Sequence, residues 1–321
     1  MEEETQKVNS GPVPLKKSHW LRYLLIAAAL LIVFFVGAFV LLINAIGGRT
    51  GFGNGSIALI YIEGPIAASG SEGIFSSAVN PGDIIGQLKQ AEEDDDIAAV
   101  LMRINSPGGT ASAGQEIYEQ VKKLQKHKPV VVSIADVGAS AAYLLASPAQ
   151  KIISTPSSLV GSIGTIITVP NYQGLYKKLG INYTVISQGK YKDIGNPNRP
   201  LTVEETAILK KQSKLVYEQF IDEVAAGRGM PRDKVAKLAT GLAFLGVEGK
   251  KFGLVDKLGN FQDAIDEAAK LGKIKGKPDI IEFNQPSILQ FFSQLFSGEK
   301  NRLKEQILKE LITSPPTTPI K

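Results

Sequence analysis

The sequence has no cysteine, only two histidines and one tryptophan among 321 residues. Without cysteine there is no disulfide framework, no thiol nucleophile and no cysteine-ligated zinc. The shortage of histidine narrows the choice of a base for any serine nucleophile. His19 precedes a long apolar run, and His127 lies in the charged stretch Lys122 to Lys128, which reads as the solvated end of a helix, so neither suits a catalytic triad. An excess of one charge is also missing. The net charge of +5 is small and dispersed, and no nucleic-acid-binding motif stands out, so nucleic acid is not an expected partner. No residue pattern calls for a cofactor or a metal.

What is present begins with a membrane signal. Leu24 to Ile43 runs for twenty residues without a polar side chain, enough at about 1.5 Å per residue to cross a hydrocarbon core of ~30 Å. A cleaved signal peptide is the rival reading, but the run exceeds the usual apolar region of roughly 7–15 residues and no small-residue cleavage site follows. Lys16, Lys17 and Arg22 precede the run and only Arg49 closely follows it, so the N-terminus is expected in the cytoplasm and the bulk of the chain outside, in a single-pass protein of the cell membrane. The expected organisation is a polar cytoplasmic tail over 1–19, a transmembrane signal anchor over 20–46, a glycine-rich linker over 47–56, an α/β domain over 57–275, a C-terminal strand and helices over 276–312 and an unstructured tail over 313–321.

With 44% apolar residues the chain can bury a large core. From Ile57 apolar strand-like runs alternate with helical patterns: Ala58 to Ile62, Ile84 to Ala91, Ala98 to Ile104, Ala113 to Leu124, Val130 to Ile134 and Ala141 to Ala146. That rhythm predicts an α/β fold with a mainly parallel sheet. Ile152 to Ser154, Leu159 to Thr168 and Tyr183 to Ile186 read as further strands. Thr202-Val203-Glu204-Glu205 reads as a capping box opening a helix to Ala226, and Pro231 to Leu238 as another helix. Beyond Lys277, Ile288 to Phe296 and Leu303 to Leu311 form apolar helical faces that pack on the domain, on a second subunit or on the membrane surface.

Three stretches carry candidate chemistry. Ser140 falls where the strand Val130 to Ile134 hands over to the helix Ala141 to Ala146. There it is either a plain N-cap or a nucleophile beside unpaired backbone N–H groups that can hold an oxyanion. Asn105-Ser106-Pro107-Gly108-Gly109 follows a strand, and its paired glycines allow a close backbone approach, although a plain turn uses the same residues. Gly189-Lys190-Tyr191-Lys192-Asp193-Ile194-Gly195 offers lysine. With histidine and cysteine set aside, a Ser-Lys dyad is the economical arrangement, its lysine kept neutral by burial. Lowering a lysine pKa from ~10.4 to about 7 costs on the order of 4–5 kcal/mol. Spacing alone leaves Lys190 and Lys192 both open as the base.

The Ser-Pro-Gly-Gly turn, the Ala-Ser-x-x-Tyr segment at Ser140, Gly161-Ser162-Ile163-Gly164 and Lys-Tyr-Lys-Asp-Ile-Gly, in that order, resemble the signal peptide peptidase A family of membrane-bound serine proteases. The resemblance covers roughly Ile57 to Leu271. It implies a Clp-protease-like or crotonase-like α/β fold, with Ser140 as nucleophile, Lys192 as general base and Ser162 as a hydroxyl that orients the lysine. The Gly109 and Ala141 amides would form the oxyanion hole. Two departures stand out: Ala141 and Ala142 replace glycines common in the family, and Asn196 stands where serine is common. Neither removes a dyad member. The catalytic block is not repeated, so the resemblance is to the single-copy form, which implies a ring-shaped homo-oligomer with serine and lysine from neighbouring protomers. The implied activity is endoproteolysis of remnant signal peptides and other unfolded extracytoplasmic polypeptides. A non-catalytic membrane-tethered scaffold of the same fold and a crotonase-type acyl-CoA enzyme are the alternatives.

Overall fold

The computed structural model describes residues 30–37, 55–68 and 78–283. The chain divides into two compact units, Met1–Phe52 and Gly53–Lys321. In the first, the described residues 30–37 are helical (α1), with exposed apolar side chains from Leu30 to Val36. Among the described residues no helix is long and apolar enough to cross a membrane. Most of the apolar run Leu24 to Ile43, the N-terminal tail, most of the glycine-rich linker and the apolar faces beyond Ile288 lie outside the described residues.

The second unit alternates strand and helix: β1 (Ser56–Glu63), α2 (Pro81–Glu93), β2 (Ile97–Ser106), α3 (Ala111–Leu124), β3 (Val130–Ala139), α4 (Ala141–Ala146), β4 (Lys151–Ser154) and β5 (Leu159–Gly161). Then follow α5 (Gln173–Lys178), α6 (Val203–Arg228), α7 (Arg232–Leu238), β6 (Ala243–Leu245), α8 (Gly246–Phe252), β7 (Lys257–Leu258), α9 (Phe261–Leu271) and β8 (Asp279–Glu282). The strands make one sheet in the order β6-β5-β3-β2-β1-β8, with β4 also on β3 and β7 on β4. Every pairing is parallel except β5 with β6.

Both faces of the sheet are covered, which is why its central strands are apolar at nearly every position. Successive side chains point to opposite faces. Accordingly Ala58, Ile60 and Ile62 of β1, Val100, Met102 and Ile104 of β2, and Val130, Val132 and Ile134 of β3 join a large core with Ile117, Val121, Tyr143 and Val224. The alternate residues Ile57, Leu59, Ala99, Leu101 and Val131 pack with Ile265 and Ala268 of α9 on the other side. Each fully buried Val, Leu or Ile contributes roughly 1.5–3 kcal/mol.

The third strand carries the site. Its first half, Val131 to Ser133 and Ile134, pairs with β4, and its end, Val137 to Ala139, pairs with β5. The β2–β3 register also shifts between Ile104 and Ser106. The strand therefore runs on to Ala139, past the apolar run that announces it, and delivers Ser140 directly to α4.

Of two further expected strands, one forms only in part and the other does not form. Of Leu159 to Thr168 only Leu159–Gly161 is a strand, held between β3 and β6. Tyr183 to Ile186 has no strand partner among the described residues, and its side chains are exposed, Ile186 to 91%. β-branched content favours a strand only where a neighbouring ladder satisfies the backbone.

Candidate active site

Ser140 occupies the N-cap position of α4, but its side chain makes no capping hydrogen bond. Its backbone sits at φ 54°, ψ −126°, a conformation that L-residues rarely adopt. This departs from a plain N-cap, which is extended and accepts an N–H from the first turn. Three contacts hold the conformation. Ser140 N–H donates to the Gly161 carbonyl at 2.8 Å, and the Ser140 carbonyl accepts from Tyr143 and Leu144 N–H, both at 2.9 Å. Behind it α4 is anchored: Tyr143 is fully buried, its hydroxyl donates to the Leu254 carbonyl at 2.8 Å, and burial raises its pKa.

The glycine turn closes against this serine. Gly108 has φ 103°, and a Cβ there would lie 2.7 Å from Ser140 Cβ and 2.9 Å from Ala141 N. Its N–H donates to the buried Ser106 hydroxyl at 3.2 Å. A short bridge fixes the next residues: Ile66 N–H donates to the Gly108 carbonyl and Thr110 N–H to the Ile66 carbonyl, each at 2.9 Å. A side chain on Gly109 would collide with the Ile66 backbone. Among the described residues, neither the Gly109 nor the Ala141 N–H donates a backbone hydrogen bond. Gly114 of α3 lets that helix approach α4, since a Cβ there would sit 2.9 Å from Ala141 Cβ.

Ser162 follows β5 immediately after the Gly161 carbonyl that holds Ser140. It too has positive φ, 50°, and its hydroxyl donates to the Gly241 carbonyl at 3.0 Å. Ser140, Ser162, Gly109 and Ala141 are thus gathered where β2, β3 and β5 end, the edge at which α/β sheets place their ligands.

The lysine segment is organised separately. Lys190 pairs with Glu204 at 2.7 Å, and that hydrogen bond raises its pKa. Tyr191 also donates to Glu204. Lys192 is exposed, and its ammonium has no hydrogen-bond or ion-pair partner among the described residues. Among the described residues no hydrogen bond joins Lys192 to Ser140 or to Ser162. His127 is exposed beside Glu92, past the C-terminal end of α3, and His19 lies outside the described residues.

One cluster has no signature in sequence. Arg199 donates through Nε to Asp193 at 2.7 Å and through both terminal nitrogens to Glu205, at 2.8 and 2.6 Å. Glu205 accepts from Thr202 N–H while Thr202 caps Glu205 N–H, so the expected capping box is present. The Arg199 hydrogen bonds hold the Glu205 pKa down at about 2, and those from Asn196 and Arg199 lower that of Asp193.

The model of peptidase family S49 matches residues 122–275, and that of Clp protease matches residues 77–160. A Methanocaldococcus jannaschii protein with a provisional protease name is 37% identical over 81% of this chain and 85% of its own length. This chain belongs to peptidase family S49. An Enterococcus faecium protein provisionally named signal peptide peptidase SppA is 33% identical over 70% of this chain and 66% of its own length. The chloroplastic serine protease SPPA of Arabidopsis thaliana is 34% identical over 75% of this chain but only 36% of its own length. The chain is therefore a serine peptidase with a Clp-protease-like α/β fold and a mostly parallel sheet.

Proposed function

We propose that the chain is a membrane-anchored endopeptidase working through a Ser140–Lys192 dyad on remnant signal peptides and other unfolded extracytoplasmic polypeptides. The observation that carries the reading is Ser140 itself: a residue in an L-disfavoured backbone conformation, its hydroxyl uncommitted, at the mouth of a helix and against a glycine turn. Such strain persists where surroundings over-determine it, and it clusters at functional sites. Residues 20–46 serve as the anchor, with the N-terminus cytoplasmic. That location suits substrates left in the bilayer after secretion.

In this mechanism Lys192 Nζ, neutral, takes the proton from Ser140 Oγ as the oxygen attacks the scissile carbonyl. The oxyanion is held by the Gly109 and Ala141 N–H groups, and Ser162 orients the lysine. Collapse expels the amine, which receives the proton from Lys192. Water, deprotonated by the same lysine, then attacks the acyl carbonyl, and Ser140 Oγ leaves with the proton returned by Lys192. Lys190 suits the role of base less well, because Glu204 stabilises its charged form.

The working dyad is proposed to join two protomers of a closed ring. In one chain Lys192 is exposed, and Ile166 and Ile186 are each 91% exposed in the segment leading to it. Ile167, Val169, Leu201 and Leu209 line a neighbouring cavity of about 360 Å³. A neighbouring protomer would cover this surface and desolvate the lysine.

The test is turnover of an unfolded protein by the full chain and by Ser140→Ala. Loss of cleavage in the variant is expected. Equal turnover would end the serine-nucleophile reading.

A further inference from the structure

We infer that Arg199 is a positioning residue for Lys192, a clamp that fixes the lysine-bearing turn to the first turn of α6. The inference rests on the proposed role of Lys192 as the base. Residues 189–196 contain no helix or strand. The turn is built by Lys192 N–H donating to the Gly189 carbonyl, Ile194 N–H to the Tyr191 carbonyl and Asn196 N–H to the Asp193 carbonyl, at 3.1, 3.1 and 3.2 Å. Such a turn does not by itself hold a long side chain to the tolerance that proton transfer requires.

Arg199 supplies the missing constraint through the residue next to the lysine. It grips Asp193 twice, Nε on the carboxylate at 2.7 Å and a terminal nitrogen on the carbonyl at 3.0 Å. Its other hydrogen bonds go to both oxygens of Glu205 and to the Pro200 carbonyl. Glu205, only 5% exposed, cannot move with the turn, because it is locked into the capping box with Thr202. The chain of contacts therefore runs from Lys192 through Asp193 and Arg199 to the fixed end of a 26-residue helix. The five donors of a planar guanidinium make all five of these hydrogen bonds, whereas a lysine ammonium has only three donors and no fork to grip Glu205 through two nitrogens.

The clamp differs from a stability feature in what its loss should change. None of the Arg199 hydrogen bonds reaches Ser140, Ser162 or the glycine turn, so KM should hold while kcat falls. The test uses the full chain in detergent, a fluorogenic apolar peptide and thermal melting, comparing Lys192→Ala, Arg199→Gln, Arg199→Lys and Asp193→Ala. Lys192→Ala reports on the base alone. If it keeps activity, the dyad reading fails whatever the other variants do. With Lys192→Ala inactive, Arg199→Gln and Asp193→Ala should each lose kcat by up to roughly 10²-fold with KM within about twofold, the scale of a misplaced catalytic group. Arg199→Lys should not restore the rate. Should Arg199→Gln fail to fold, Asp193→Ala decides, since it removes the carboxylate that Arg199 grips and keeps the Arg199–Glu205 pair. Folded Arg199→Gln or Asp193→Ala protein with wild-type kcat, or full rescue by Arg199→Lys, would overturn the inference.

Discussion

Gly108 and Ser140 touch so closely that a Cβ on the glycine would come within 2.7 Å of the serine Cβ. The contact ties the end of β2 to the end of β3, and through the next residue it sets where the Gly109 N–H lies relative to Ser140. Gly108→Ala meets both a steric collision and a backbone at φ 103° that alanine disfavours. The turn must shift, and the proposed oxyanion donor shifts with it. The expected outcome is a fall of about 10²-fold in proteolysis and in fluorophosphonate labelling of Ser140. Wild-type labelling would show that the turn has no part in the site.

Strain at Ser140 predicts a separation of stability from activity. A non-glycine residue in such a region costs on the order of 1–3 kcal/mol, and glycine relieves it at a cost of about 0.4–1 kcal/mol from its greater freedom when unfolded. Ser140→Gly should therefore be more stable than Ser140→Ala by about 1 kcal/mol, while neither cleaves substrate. Urea denaturation of the two full-length variants in detergent measures the difference. A less stable glycine variant would mean that the backbone at this position is not strained.

The frame around these residues is legible in sequence because both of its periodicities are strong. Ile57 to Ile62 and Ala98 to Ile104 are apolar on both sheet faces, and Thr202 with Glu205 announces the start of α6 as a capping box. The segment after Ser162 is less legible. Tyr183 to Ile186 has strand-like residues, but strand formation depends on a partner that the described part of the chain does not supply. Asp193, Arg199 and Glu205 stand six residues apart in succession and meet through turns, so no single helix or strand carries all three and no periodicity announces the cluster. The unusual backbone of Ser140 is likewise invisible in sequence, because serine before a helix is an ordinary cap.

The carboxylate in that cluster predicts a pH signature of stability. The folded-state pKa of Glu205 is held down at about 2, against an ordinary value of 4.5. A depressed carboxylate stabilises the fold fully above its unfolded pKa, and the contribution fades as pH falls towards the folded one. Wild-type protein should thus lose part of its stability between about pH 4.5 and pH 2. Glu205→Gln should show a shallower decline across that window, measured by urea denaturation at a series of pH values. Parallel curves for the two proteins would mean that Glu205 is not held ionised by Arg199.

Whether the dyad lies within one chain or between two is decided by complementation. Ser140 is gathered with Ser162, Gly109 and Ala141, whereas Lys192 stands on an exposed turn without a partner among the described residues. In a closed head-to-tail ring, each interface would bring one protomer's serine to its neighbour's lysine. Ser140→Ala and Lys192→Ala protomers are each expected to be inactive alone. Mixed in equal amounts and assembled at random, they place an intact serine opposite an intact lysine at roughly a quarter of the interfaces, so about a quarter of wild-type proteolysis should return. A dyad contained in one chain allows no such recovery, because every protomer then lacks one of its two members. Mixed rings shown by differential tagging to contain both variants, yet silent towards an unfolded substrate, would place the base in the same chain as its serine.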